Sequence, residues 1–502
     1  MINIGNSREL FFDDYLLDTE KTTAERRLHR PIRKGEIFKL DMPWEGNVCG
    51  YFSVFIAEGK YRMYYRASQS GRRESYICYA ESDDGISWVR PSLGIVEFGG
   101  SKDNNIIMNF EMLFEMGFKT FDNLSVFYDE NPACPADEKY KMLCMYCGNG
   151  ALLSLTSSDG IRFRKDQIIT RDGEFDSQNL AFWSKYYKKY FCYYRGEHEP
   201  EENVRIMDKS YTDKVAHELL DPEKMLLREP GNGDFAFMRD IRVIESTDYK
   251  NWSNQRLINY TGEDLQPYTS GILPYPRAEN IFVGLSMRYV ERKGWTPNYD
   301  ELCGREERLA RMSGGSLREG LAITDGMLLM SRDGYNFTKF DEAFLCPPPE
   351  NSDAFVYGDG FFTPALIETP SDISGAENEY MLHVVEGYRS SRGYCSIVKY
   401  TLRFDGFVSL HAGGTAKNVV TKEFTYDGDN LYCNIESSAR GSVYFTLKCG
   451  DEEYTSYETF GNSVDKRVHF TCEDAVKRCK GKPVVLEAKI YDCDLYSIKF
   501  DK

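Results

Sequence analysis

The sequence predicts an all-β chain, a five-bladed β-propeller followed by a C-terminal β-sandwich. Three observations carry that prediction. A strand opening on Lys-Tyr or a close equivalent recurs five times, a turn of the form Ser-x-Asp-Gly recurs four times, and beyond residue 406 the spacing shortens to that of hairpins. One supersecondary unit repeated in fixed order is the signature of blades set around an axis.

One whole blade is legible within residues 59–88. Lys60-Tyr61-Arg62-Met63-Tyr64-Tyr65 and Tyr76-Ile77-Cys78-Tyr79-Ala80 are aromatic and β-branched, as strands are. Ser82-Asp83-Asp84-Gly85 then makes a turn, because Asp bonds its own backbone and Gly accepts positive φ. Trp88, three residues past the Gly, is placed to pin the outer strand. The turn returns at Ser158-Asp159-Gly160 before Phe163, at Ser331-Arg332-Asp333-Gly334 before Phe337, and in degenerate form at Ser246-Thr247-Asp248-Tyr249 before Trp252. The Lys-Tyr strand returns at Lys139-Tyr140, Lys189-Tyr190, Asn280-Ile281 and Glu379-Tyr380. Ahead of each copy lies a candidate innermost strand, at residues 51–55, 122–127, 176–183, 268–273 and 357–362.

The segments between and around the blades complete the reading. Residues 8–18 look like a lone strand. The fifth blade has no outer strand of its own, so residues 9–17 are expected to pair beside residues 397–404 and close the ring. Residues 19–43 read as a polar, basic lead-in to Pro43-Trp44-Glu45-Gly46. Two insertions fall between the second and third strands of their blades. The first, 197–235, is expected to hold a helix over 210–227; the second, 291–320, a helix over 301–311. Loops of such length in a compact domain are often functional lids. The domains expected are therefore a propeller over 1–405 and a sandwich over 406–502.

Composition narrows the function classes. A net charge of −17 argues against nucleic acid, whose phosphates need a basic face. No apolar run reaches the length of a membrane span. The first seven residues lack the basic start and apolar run of a secretory signal. The 14 Cys are scattered through strand patterns, which predicts reduced thiols and a cytoplasmic protein. Cys144 and Cys147 form a C-x-x-C, but on a strand those two positions face opposite sides. With 6 His and no His-Glu-x-x-His, neither a catalytic metal nor a cofactor is expected.

Propeller topology selects the residues that share one face. They are the starts of innermost strands, the ends of second strands and the starts of third strands. Those positions hold Asp122, Asp176 and, less surely, Asp359; then Arg66, Arg195, Arg288 and Glu386; then Asp325. Trp44 and Glu45 precede the first blade. Convergent carboxylates suit glycosidic chemistry, in which one acid protonates the leaving oxygen and a second group acts at the anomeric carbon. Asp176, Glu386, Asp122 and Asp325 are thus the candidate catalytic residues. Trp44, Glu45, Arg66, Arg195 and Arg288 are candidates for substrate contact, with Trp44 suited to stacking on a sugar face.

Several stretches carry a family resemblance: residues 9–17 (ELFFDDYLL), Pro43-Trp44-Glu45, residues 60–66, residues 94–105 (GIVEFGGSKDNN), Phe175-Asp176-Ser177-Gln178-Asn179 and residues 400–409 (YTLRFDGFVS). Through them nearly the whole chain resembles the five-bladed propeller glycosidases of the β-fructosidase and furanosidase superfamily, glycoside hydrolase families thirty-two, forty-three and relatives. The resemblance implies carboxylates on the first strands of successive blades, and Asp122 and Asp176 match that placement. Blade one departs from it, since Asn47-Val48-Cys49-Gly50-Tyr51 holds no Asp where the family-thirty-two nucleophile would fall; Glu45 could substitute, or the roles could sit on Asp325 and Glu386.

The expected function is a glycoside hydrolase acting on an oligosaccharide or a plant or microbial glycan through paired carboxylates. The expected partner is a carbohydrate, not a nucleic acid or a membrane, and a homo-oligomer is compatible with the sequence. Two alternatives stand beside it. A phosphorylase or transferase on the same scaffold would use Arg66, Arg195 and Arg288, since guanidinium forks suit phosphate. A non-catalytic carbohydrate-binding protein would account for the missing blade-one Asp.

Overall fold

The computed structural model describes residues 1–502 except 73, 117–120, 147–149, 199–237, 263–265, 292–294 and 314–317. The first inserted segment, with the helix expected over 210–227, lies outside the described residues. Five consecutive antiparallel sheets make a five-bladed propeller. The first is Gly50–Ala57, Lys60–Ala67, Tyr76–Ser82 and Ile106–Met108; the second Phe121–Tyr128, Tyr140–Tyr146, Ala151–Ser157 and Arg164–Thr170. The third is Leu180–Ser184, Lys189–His198, Met238–Ser246 and Arg256–Leu257. The fourth is built on Ile272–Tyr275, Ala278–Glu291, Ala322–Ser331 and Asn336–Lys339. The fifth runs Phe361–Phe362, Glu379–Glu386, Cys395–Arg403 and then Ile32–Leu40.

The repeated turn earns its sequence. Ser82 Oγ accepts from Gly85 N at 2.9 Å and Asp84 Oδ1 from Ile86 N at 2.8 Å. Ser157 with Asp159, and Ser331 with Asp333, make the same bonds to Gly160 and Ile161, and to Gly334 and Tyr335. The three glycines sit at φ of 73°, 74° and 80°, where a Cβ is disfavoured. In the degenerate copy Tyr249 adopts φ 63°. Burial offsets that strain: its ring lies 5.1 Å from Tyr190 and 5.4 Å from Trp252, and its hydroxyl is 3.0 Å from Ser154 Oγ.

The ring closes, but not with the strand expected. Residues 32–40 pair with the last blade strand, Cys395 opposite Leu40 through Thr401 opposite Ile32, with two register shifts. Of residues 9–17, only Glu9 and Leu10 lie in a strand, Arg8–Leu10, and it pairs with Ser497 to Lys499 in the C-terminal sheet. The pattern explains the error. Phe11, Phe12, Leu16 and Leu17 are buried without alternation in an irregular segment, whereas the true closing strand is the outermost one and buries only Phe38 and Leu40. An outer strand is solvated on most of its surface, so its sequence reads as a polar lead-in.

Six C-terminal strands and two N-terminal ones form an eight-stranded sheet whose spine is the pairing of Asn430–Cys449 with Val485–Asp501. A register shift between Ser437 and Ser442 bends the spine. N-terminal strands join this sheet: Arg8–Leu10 as above, and Glu25–Leu28 against Val408–Ala412. Ile2–Gly5 pairs in parallel with Phe424–Tyr426. Phe445, Leu447, Ile490, Leu495 and Phe500 belong to a core that also takes in Phe11, Leu16 and Leu17. A polar hub joins this unit to blades four and five. Buried Asp405 accepts Asn434 Nδ2 at 3.1 Å and Ser497 Oγ at 2.8 Å, is bonded by Tyr275, and pairs with Arg8 and Arg277, each at 3.2 Å.

Candidate functional site

The site is best entered from blade five. Its second strand, Glu379–Glu386, buries six residues in succession and delivers Glu386 half-buried at its end. The closing strand brings Arg33 to it, with Nε 2.9 Å from Oε1 and Nη2 2.9 Å from Oε2. Tyr400, on the neighbouring strand, donates its hydroxyl to Oε1 at 2.9 Å. A bidentate guanidinium plus a hydroxyl fixes the direction of the carboxylate. The bond to Glu386 in turn raises the Arg33 pKa, and burial followed by the same carboxylate charge raises that of Tyr400.

Asp359 lies on the loop leading into Phe361–Phe362. This loop is strained, with Phe355 at φ 55°, Gly358 at 129° and Gly360 at 71°. Gly360 is obligatory, since a Cβ there would stand 2.3 Å from the backbone carbon of Asp325. Blade four supports the loop through Thr324, whose Oγ1 donates to Asp359 O at 2.7 Å and accepts from Gly358 N at 2.9 Å. The Asp359 carboxylate accepts Val356 N at 2.9 Å. Burial pushes its pKa up to about 8, prevailing over the backbone N–H groups of Val356 and Phe355 and over the charge of Arg308. At neutral pH Asp359 is therefore mostly a neutral acid.

Asp359 and Glu386 both line one open cavity of about 580 Å³, walled also by Arg33, Arg392 and the 348–353 loop. An arginine-clamped carboxyl and a buried, protonated one on the same cavity wall are a difference that environment alone can set.

The other predicted residues fall as follows. Asp325 stands directly opposite Arg288 in blade four and is clasped by it, Nε to Oδ1 at 2.8 Å and Nη2 to Oδ2 at 2.5 Å; Arg288 also donates to Asp341 O. Asp176 is exposed and takes Asn123 Nδ2 at 3.0 Å and Arg195 Nη1 at 3.2 Å, while Arg195 Nη2 reaches Glu197 at 2.5 Å. Asp122 opens the first strand of blade two, opposite Met145; its side chain is outside the described residues. Arg66 lies with its guanidinium carbon 4.7 Å from the Tyr51 ring centre and donates to Tyr388 Oη at 3.2 Å, two residues beyond Glu386. Asp176 and Asp325 do not line the cavity that Glu386 shares with Asp359.

Trp44 and Glu45 make contacts within the protein. Trp44 donates its indole N–H to Asn105 at 2.8 Å and meets Phe98 edge-on. Glu45 is 1% exposed, and its carboxylate takes Arg90, Tyr65 and the amide of Met42. Sequence reasoning missed Arg33, which sat in the supposed lead-in, and gave Asp359 little weight. The signal for Asp359 was present: Tyr357-Gly358-Asp359-Gly360 is a carboxylate between glycines, the flanks a strained loop needs.

No family profile and no curated protein matches the chain. Solved structures of similar shape include a putative glycosidase from Bacteroides thetaiotaomicron, at 14% identity over 74% of this chain and 96% of that one, TM-score 0.37. A thermostable family-43 glycoside hydrolase shares 11% identity over 72% and 93%, TM-score 0.39. A family-43 arabinoxylan arabinofuranohydrolase from Bacillus subtilis, in complex with cellotetraose, shares 10% over 92% and 96%, TM-score 0.35. Among the described residues, no group of His, Cys, Asp and Glu is arranged to hold a metal ion, and no helix is long and apolar enough to cross a membrane.

Proposed function

We propose that this chain is a glycoside hydrolase that cleaves a glycosidic bond, with Asp359 as the general acid and the arginine-clamped Glu386 as its partner. The observation that carries the reading is the pair itself: a buried, neutral carboxyl and an arginine-clamped carboxylate facing one cavity. In the reaction Asp359 gives its proton to the leaving oxygen as the C–O bond breaks. Glu386 faces the positive charge that develops at the anomeric carbon and takes the proton of the attacking water. Asp122, Asp176 and Asp325, with Arg66, Arg195 and Arg288, are proposed to border the bound sugar or hold the groups that do. The substrate would be an oligosaccharide or glycan, handled in the cytoplasm. We further propose that residues 1–405 and 406–502 are the two domains, the second a β-sandwich to which the first strands of the chain add.

The test uses D359N and E386Q on a panel of aryl glycosides and oligosaccharides. Each should lower kcat by about 10²–10⁴-fold. D359N replaces one neutral group by another of the same shape and spares the folded state a proton that the unfolded wild type has lost at pH 7, so its melting temperature there should not fall below that of the wild type. Full activity in either variant on a turned-over substrate would end the assignment. Phosphate-dependent release of a sugar phosphate would select the phosphorylase, and binding without turnover the non-catalytic reading. Of the arginines that reading would use, Arg195 and Arg288 are already bonded to carboxylates.

A further inference from the structure

The second insertion forms two short helices, Pro297–Glu301 and Arg305–Ser313, and a further turn, Arg318–Leu321. The helix expected over 301–311 is thus broken at Leu302 to Gly304, and its second part starts after Gly304 at φ 71°. This excursion belongs to blade four, yet its bonds run to blade five. Arg308 is 1% exposed. Its Nε donates to Cys303 O at 3.1 Å, Nη1 to Phe355 O at 2.8 Å, and Nη2 to Ala354 O. One turn on, Arg311 reaches Ser352 O and Arg389 O, both at 3.3 Å. Gly304 seats the helix: a Cβ there would lie 2.6 Å from Ser352 Cα.

Thus the strained loop that carries Asp359 is gripped from outside its blade by a guanidinium whose three acceptors are carbonyl oxygens. Two of those carbonyls, Ala354 and Phe355, immediately precede Val356, whose amide bonds the Asp359 carboxylate. Resting on the acid role given to Asp359 above, we propose that Arg308 is a positioning residue: its fork fixes the loop that carries the Asp359 carboxyl. A planar five-donor fork is pre-organised for such multiple bonds, and a lysine ammonium is not. The charge acts in company. Glu386 works against ionisation of Asp359 and Arg308 favours it. Arg311, Tyr299 and Cys303 surround Arg308 itself. Arg33, Arg392, Glu350 and Asp353 share the cavity wall.

Two variants separate fork from charge. R308M removes both and R308K keeps the charge. Without the charge, which favours ionisation, Asp359 should hold its proton to higher pH. The alkaline limb of the kcat profile should then move up in R308M and stay in place in R308K. Both should lower kcat by tenfold or more, on the scale that about 1 Å of misplacement produces. Two readouts are independent of turnover. Amide exchange at residues 354–360 should quicken in both variants. The stability of the wild type relative to D359N should fall as pH rises from about 4 to about 8, because the folded state holds a proton that the unfolded chain has lost. That window should extend upward in R308M. If R308M melts lower but leaves the pH limb and the 354–360 exchange unchanged, Arg308 is merely structural. If R308M does not fold, R308K decides alone: wild-type exchange and kcat there overturn the proposal. An active D359N would end the acid role while leaving the exchange result intact.

Discussion

Replacing Asp405 by Asn should uncouple the C-terminal unit from the propeller. Asp405 has no exposed surface in its side chain and accepts charge from Arg8 and Arg277, whose side chains are 4% and 21% exposed. Burial disfavours its ionisation, but the two guanidinium groups outweigh burial and hold its pKa below the ordinary carboxylate value. Removing one partner of a buried pair typically costs about 3–5 kcal/mol, because the remaining charge stays buried. Here Asp465 still serves both arginines and the amide keeps the shape, so about 3 kcal/mol is expected. That is a factor of roughly 150 in an equilibrium constant. Urea unfolding offers the assay, since all 5 Trp of the chain lie before residue 405. In D405N the far-UV transition should begin at lower urea than the Trp transition, whereas in the wild type the two coincide. Acid supplies a second check. A depressed folded pKa contributes stability that is present above the unfolded value, near pH 4, and lost as pH falls through the folded value. D405N should therefore lose less of its stability on acidification. Coincident transitions and a wild-type acid profile would refute the hub.

Two further outcomes follow from turns and cores. Gly160→Ala should destabilise by about 1–3 kcal/mol, because it adds strain at φ 74° and sets a Cβ 2.5 Å from Tyr64 Oη, whereas Gly59→Ala, at φ 78° in open space, should cost only the backbone strain of about 1 kcal/mol; thermal melts of the pair separate the two terms. Glu45→Gln should lower stability by about 3 kcal/mol through the buried Arg90 pair and leave kcat unchanged, so a variant with normal melting and lost turnover would return Glu45 to the site.

The repeat was legible because its turn is dictated locally. Ser82, Asp84 and Gly85 bond one another, so the chemistry survives in the letters wherever the turn recurs. What lay hidden depends on partners far away in sequence. The strand Ile32–Leu40 is mostly exposed, and only its pairing with Cys395–Arg403 makes it a strand. Residues 9–17 carry apolar side chains for a core supplied largely by residues beyond 410, and nothing near them says which sheet that is. Glu386 was found from strand position alone. Arg33, its clamp, could not be, because the two lie 353 positions apart. Asp359 owes its proton to burial, a tertiary property that no neighbouring residue announces.

The way the chain closes sets the order in which it can be made. Its first forty residues find their partners in strands between residues 395 and 501: Ile2–Gly5 with Phe424–Tyr426, Arg8–Leu10 with the last strand, Glu25–Leu28 with Val408–Ala412, and Ile32–Leu40 with Cys395–Arg403. On a ribosome working at roughly 5–20 residues per second, those opening segments wait for tens of seconds while blades one to four assemble behind them. During that wait Phe11, Leu16 and Leu17 have no core to enter, because theirs is built largely from residues beyond 410. A nascent chain stalled before residue 395 should therefore present this segment to chaperones. Arg33 cannot meet Glu386 until synthesis is nearly done, so the clamp on that carboxylate is among the last contacts to form.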